Sequence, residues 1–286
     1  MLYRLISRLP FPLLYGLAWF SYLLLFYVVR YRRDVVAQNL SNAFPEKSEA
    51  ERASLARDFY RQFSQVALEI IKARCMQPAE FLERARILNP ELLQQYSKDF
   101  SESVIVLTIH QGNWEWMLHG ATTHFDIPIS PVYKPLHNKA ADKLIYDIRS
   151  QFGSRPLSME ESVKDIIRRR REFRIFVLVA DQSPIRSERG YWTQFMNQEA
   201  NFYLGAETIA KMTKFPVLYA QCHRRSKGHY EIEFKELAQP PYDKESHELT
   251  DRYVSMAEDA IREEPESWLW TNRRWKRDRA KEETTG

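Results

Sequence analysis

Only 8 of the 286 residues are glycine, and neither G-x-G-x-x-G nor G-x-x-x-x-G-K-[ST] occurs. The chain therefore lacks the loops that cradle nucleotide phosphates in many nucleotide enzymes. It also lacks a G-x-S-x-G elbow, and its two cysteines, Cys75 and Cys222, lie in no motif that suggests a nucleophile, which argues against a covalent acyl-enzyme route. The same cysteines form neither a metal-ligand spacing nor a disulfide framework, as fits a reducing compartment. His119 and His124 follow His110 along one stretch, but no H-E-x-x-H pattern or paired cysteine accompanies them, so no metal and no other cofactor is expected. No repeat period or low-complexity segment interrupts the chain before the polar tail after Arg279. Lys plus Arg exceed Asp plus Glu by only 42 to 38, so total charge points to no partner. Nucleic acid is not expected as one, because no binding module is recognisable.

What the chain has in quantity is apolar and aromatic residues: 44% are apolar, and there are 7 Trp, 15 Tyr and 16 Phe. From Leu9 to Val29 the sequence runs for 21 residues without a charge, about the length that crosses a bilayer core. Arg4 and Arg8 precede this run, Arg30, Arg32 and Arg33 follow it, and Tyr3, Tyr15, Trp19, Tyr22 and Tyr27 supply interfacial aromatics. No A-x-A cleavage site follows, so a removed signal peptide is disfavoured. A buried core helix passes the same test, and Pro10 and Pro12 leave a clean span and a half-inserted anchor both open. Residues 1–33 read as a membrane anchor and 34–286 as one catalytic domain.

Along that domain, Ser48 and Glu51 form a capping-box pair before apolar residues at helical spacing, a run that Pro78 stops. Ser103–Ile109 and Phe173–Ala180 read as buried strands, Ile129–Lys134 as a third, and Pro216–His223 with His229–Leu237 as a hairpin. Between them, 113–124, 138–152, 160–171, 203–214 and 245–264 read as helices, with Gly153 as a C-terminal cap. The fold class is α/β: a single domain with a mostly buried mixed sheet flanked by helices, plus the N-terminal hydrophobic helix.

The segment His110-Gln-Gly-Asn-Trp-Glu115 leaves a predicted strand and opens a predicted helix, where open α/β sheets place ligands. A bend at Gly112 can bring Glu115 back toward the imidazole. The carboxylate then holds one ring N–H, and the other nitrogen is left as a general base. The amides of Gly112 and Asn113 lie at the helix N-terminus, aimed at developing negative charge. A capped helix with an incidental histidine fits the same spacing. Trp114 and Trp116 read as packing residues.

HQGNWEW resembles the H-x4-[DE] block of the glycerolipid-type acyltransferases, in the form used by the late acyltransferases of lipid A biosynthesis. The resemblance continues through Tyr31–Pro45 (YRRDVVAQNLSNAFP), Val132–Pro135 (VYKP), Phe152–Arg155 (FGSR), Ala180–Ser183 (ADQS) and Trp268–Lys276 (WLWTNRRWK). It implies transfer of a fatty acyl chain from acyl carrier protein or acyl-CoA, the carrier protein favoured, to a hydroxyl of a membrane lipid. It implies His110 as base, Glu115 as its partner, Arg155 as the second-block arginine with Arg149 as rival, and Asp181 as the acidic residue after a later strand. Gly112, Asn113, Lys134, Arg149 and Gln182 are the expected substrate contacts. Lys134 stands where relatives often carry arginine, which removes the planar fork for a bidentate contact.

Two basic clusters remain, Arg168–Arg171 with Arg174, and Arg273–Lys281. The second is interleaved with Trp268, Trp270 and Trp275, a mix seen at membrane interfaces, and suits inner-membrane phospholipids, a phosphorylated acceptor or an acidic carrier. Two functions stand against each other: an inner-membrane acyltransferase facing the cytoplasm, and a non-catalytic membrane-attached relative. Within the enzymes, an acyltransferase for a lysophospholipid, glycolipid or amino-acid lipid is the alternative.

Overall fold

The computed structural model describes residues 2–184 and 190–279, and the chain divides into two compact units. Both are discontinuous. The first comprises residues 1–72, 181–204 and 254–286, and the second residues 73–180 and 205–253.

The first unit begins with α1 (Leu2–Ile6) and α2 (Phe11–Leu23), which runs on through a π-helical turn, Leu24–Val28. Then come α3 (Arg33–Ala43) and the long α4 (Glu49–Lys72). The predicted capping box closes as expected: the Ser48 amide and hydroxyl both donate to Glu51 Oε2 at 2.7 Å, and the Glu51 amide donates to Ser48 Oγ at 3.3 Å. The hairpin β6 (Gly190–Phe195) and β7 (Gln198–Tyr203) completes this part of the unit. The apolar pattern of the sequence predicts no strands there.

Two of the blocks noted above meet in this unit. Asn39 Nδ2 donates to the carbonyls of Trp270 and Asn272, both at 2.8 Å, and Arg32 donates to the Thr271 carbonyl at 2.9 Å. Trp268 and Trp270 are fully buried, their rings edge to face at 4.7 Å, and Trp268 also packs against Phe195. This corrects the reading of the terminal tryptophans as interfacial. Arg274 is corrected with them: it is 1% exposed, its guanidinium 4.1 Å from the Phe202 ring centroid. An Arg–Trp cluster has the same sequence signature in a core as at a membrane surface, since cation–π stacking suits both. Arg273 and Lys276 of the cluster do remain exposed.

The second unit holds a seven-stranded mixed sheet. In chain order it contains α5 (Pro78–Arg84), β1 (Ala85–Ile87), α6 (Pro90–Tyr96), β2 (Val104–Thr108), α7 (Trp114–Phe125), β3 (Ile129–Tyr133) and α8 (Lys139–Arg149). There follow β4 (Leu157–Ser158), α9 (Met159–Arg168), β5 (Ile175–Val179), α10 (Gly205–Thr213), β8 (Val217–Ser226) and β9 (His229–Ala238). The last helix, α11 (Glu248–Glu263), starts in this unit and ends in the first. β2 pairs in parallel with β5 and β8, and every residue of β2 is buried, which is why its sequence is apolar from Val104 to Leu107 instead of alternating. The strands lie in the order β1-β9-β8-β2-β5-β3-β4, and within this sheet β8 and β9 form the one antiparallel pair.

Candidate active site

His110 leaves the C-terminal end of β2, and that end is fixed by side chains. Thr108 Oγ1 donates to the Ala220 carbonyl at 2.7 Å, and Tyr253 Oη donates to the Thr108 carbonyl at 2.9 Å. The chain then turns sharply, the Gln111 amide donating to the Ile109 carbonyl at 2.8 Å. Gly112 sits at φ +57°, and a Cβ there would meet Cys222 Sγ at 2.9 Å and the Cys222 carbonyl oxygen at 3.0 Å. Both the backbone angle and the approach to β8 require glycine. Asn113 caps α7 by accepting the Trp116 amide on Oδ1 at 3.0 Å. The turn therefore delivers Glu115 in the first turn of the helix, as the sequence suggested.

Glu115 is buried, and Arg149 clamps it with a two-pronged contact: Nε to Oε2 at 2.8 Å and Nη2 to Oε1 at 2.5 Å. Planar forks of this kind are among the stronger charge-assisted hydrogen bonds. Burial pushes the Glu115 carboxyl up, but the Arg149 charge and hydrogen bonds outweigh it. With smaller contributions from His119 and then His110, they hold the carboxyl below the ordinary carboxylate range. The Arg149 guanidinium also lies 5.6 Å from the Tyr133 ring centroid. Trp114, read from sequence as packing, stands half-buried beside the site, its ring edge-on to His110 at 5.1 Å and its Nε1 donating to Glu115 Oε1 at 3.2 Å. Trp116 is packing: it is fully buried against Phe81 and Tyr230.

One turn beyond Glu115, His119 is fully buried, and among the described residues neither ring nitrogen has a hydrogen-bond partner. Its ring packs on Phe81 at 4.9 Å and Phe152 at 5.3 Å. Burial pushes its pKa down to about 4, so it is neutral at physiological pH. Phe152 belongs to the short turn that continues α8, so His119 packs the segment carrying Arg149 against α7. Periodicity marks position 119 only as a helical neighbour of Glu115; its role depends on the two phenylalanines, which are remote in sequence.

Lys134 and Arg155 take no part in this clamp. Lys134 is exposed where β3 ends, at the same edge of the sheet as His110 and two strands, about 10 Å, away. Arg155 is exposed, and its amide donates to the carbonyl of Ile129, the first residue of β3, at 2.8 Å. That puts it toward the opposite end of the strand from Lys134. The structure brings Arg149, not Arg155, onto Glu115. Asp181 and Gln182 belong to the first unit. Asp181 is buried and accepts the Trp268 indole N–H at 2.7 Å, and Gln182 is half-buried. The basic run ending α9 is partly paired, Arg168 and Arg169 both reaching Asp165. Arg174 is buried on Asp165 at 3.0 Å.

No curated protein sequence matches the chain significantly. The family described as bacterial lipid A biosynthesis acyltransferase matches residues 1–277, from the apolar N-terminal segment through the strand-to-helix turn at His110 to the terminal tryptophan block. With that match over almost its whole length, the chain belongs to the bacterial lipid A biosynthesis acyltransferase family and is an acyltransferase.

Proposed function

We propose that this acyltransferase moves a fatty acyl chain from an acyl thioester, acyl carrier protein in preference to acyl-CoA, to a hydroxyl of a lipid A precursor. His110 acts as general base. The acceptor oxygen attacks the thioester carbonyl as His110 takes the hydroxyl proton. The C–S bond of the resulting tetrahedral adduct breaks, and the thiolate leaves with the proton from the imidazolium. Glu115 stabilises that imidazolium and orients the ring. Arg149 keeps Glu115 ionised, and the amides of Gly112 and Asn113 face the oxyanion. The observation that carries this reading is the Glu115–Arg149 clamp in the turn that follows His110. A buried carboxylate held charged beside a half-exposed histidine is a costly arrangement that packing alone does not require.

Residues 1–33 attach the protein to the inner membrane, and residues 34–286 carry out the transfer facing the cytoplasm. Support comes from the helix Phe11–Val28, which is apolar enough to enter a bilayer and has only 22% of its residues buried within the protein. Mass spectrometry of lipid A and total lipids, with and without the protein, tests the reaction. Loss of one fixed acyl mass from lipid A alone is expected. Loss from a phospholipid or amino-acid lipid, with lipid A unchanged, would refute the acceptor.

A further inference from the structure

The apolar segment is apolar all round, and a helix of that kind needs apolar surroundings on every side. One stripe has them within the protein. Leu14, Ala18 and Tyr22, four residues apart, are buried, and Leu14 and Ala18 form a cluster with Leu68 of α4. The opposite face does not: Leu13, Trp19, Phe20, Leu24 and Val28 are 41–72% exposed.

α4 runs antiparallel beside this segment for nearly its whole length, and it brings charge. Lys72 Nζ lies 5.5 Å from the Phe11 ring, Tyr15 Oη donates to the buried Glu69 carboxylate at 2.9 Å, and the Arg61 guanidinium lies 5.4 Å from the Tyr22 ring. At the far end Tyr60 packs on Phe26, and Arg33 lies 4.4 Å from the same ring. Ionisable side chains thus touch the segment at its start, its middle and its end. Arg61 and its ion-pair partner Asp58 are about half exposed, so solvent reaches this flank midway along the helix. A helix crossing a bilayer has hydrocarbon at those depths, where such groups are rare and costly. A helix lying in the interface has headgroups there, into which Lys and Arg extend.

The flanks point the same way by an independent route. Arg4 and Arg8 precede the segment and Arg30, Arg32 and Arg33 follow it. Basic flanks stay on the cytoplasmic side. A crossing helix must export one set, whereas a helix that does not cross exports neither.

We infer that the segment 11–28 does not span the membrane. It lies along the cytoplasmic leaflet, seated on α4 by its Leu14–Ala18–Tyr22 stripe, with its Trp19–Phe20 face in the acyl chains and both ends on one side. This rests on the membrane attachment proposed above and specifies its geometry.

The test is side-specific thiol labelling of the full chain in native membranes with a membrane-impermeant maleimide. Cys75 is exposed and Cys222 buried, so Cys75→Ser leaves a background without a reactive thiol, into which Arg4→Cys and Asp34→Cys are introduced singly. Both added thiols should label in inverted inner-membrane vesicles and neither in right-side-out spheroplasts. Labelling from opposite faces would overturn the inference. Nitroxides at Leu13→Cys and Leu24→Cys provide a second measurement. Lying in one leaflet, they should report the same depth within a helical turn. A span separates them by about 16 Å along its axis, and a depth difference of that size would also overturn it. Release of the unmodified protein by high-salt washing would instead refute the attachment, a failure distinguishable from either of these.

Discussion

Removing Arg149 leaves Glu115 as a buried carboxylate with no counter-charge. Breaking a buried ion pair from one side typically costs ~3–5 kcal/mol, and Arg149, whose side chain is 19% exposed, places Arg149→Ala toward the lower end because water can enter behind it. In a chain of this size that corresponds to a fall in Tm of roughly 6–12 °C. The pH dependence must change as well. Glu115 has a lowered carboxyl pKa in the folded protein, so its contribution to stability is present above the ordinary carboxylate pKa and is lost as pH falls through the lowered value. Without Arg149 the influence of burial prevails and the pKa moves up. Glu115 then takes a proton at a higher pH, so the loss of kcat/KM that its protonation brings, the acid limb, should set in at higher pH. Arg149→Lys retains the charge but not the fork and should fall between wild type and Arg149→Ala. Adding Glu115→Gln to Arg149→Ala removes the stranded charge and should recover stability without recovering activity. Thermal unfolding and pH–rate profiles of the purified variants read these outcomes. Wild-type Tm and an unmoved acid limb in Arg149→Ala would refute the assignment of the clamp.

His119 has a folded pKa of about 4 against an ordinary 6.5, worth about 3 kcal/mol between its protonation states. The unfolded chain binds the proton first, so the stability from burying neutral His119 is complete above pH 6.5 and erodes as pH falls toward 4. His119→Phe should flatten Tm across that window; an unchanged slope would show that the histidine is not buried neutral. Asp181→Ala should lower Tm by stranding the Trp268 indole N–H, a loss of about 1–3 kcal/mol, while Asp181→Asn, which can still accept the bond, should lose less; equal losses would contradict that role. Gly112→Ala should reduce both stability and turnover, and Cys222→Ala should not restore them, because the positive φ and the Cys222 carbonyl contact remain; full rescue would mean the sulfur alone was limiting.

The central sheet was legible because its strands are short, β-branched and buried. The expected strand 103–109 is found at Val104–Thr108 and 173–180 at Ile175–Val179, with helices between them whose apolar spacing is regular. Strands held mainly by pairing were not legible. β1 and β4 have three and two residues, and the β6–β7 hairpin carries too many polar residues to read as two apolar runs. At the site, the turn from His110 to Glu115 followed from local chemistry, whereas the choice between Arg149 and Arg155 did not. Both arginines lie near the end of one helical block, and only the course of the chain after α8, packed through Phe152 on His119, turns one toward Glu115 and leaves the other in solvent. Arg274 and Trp268 misled for the same reason, since burial depends on segments far away in sequence.

The most direct test of the catalytic account is acyl transfer by purified His110→Ala, alongside the wild-type protein, with an acyl thioester donor and a lipid A precursor. The account predicts a fall at least as large as the roughly 10²–10⁴-fold that general-base catalysis typically contributes, with Tm and membrane attachment retained and no acyl group covalently trapped on either protein. Turnover near the wild-type rate in His110→Ala would contradict it.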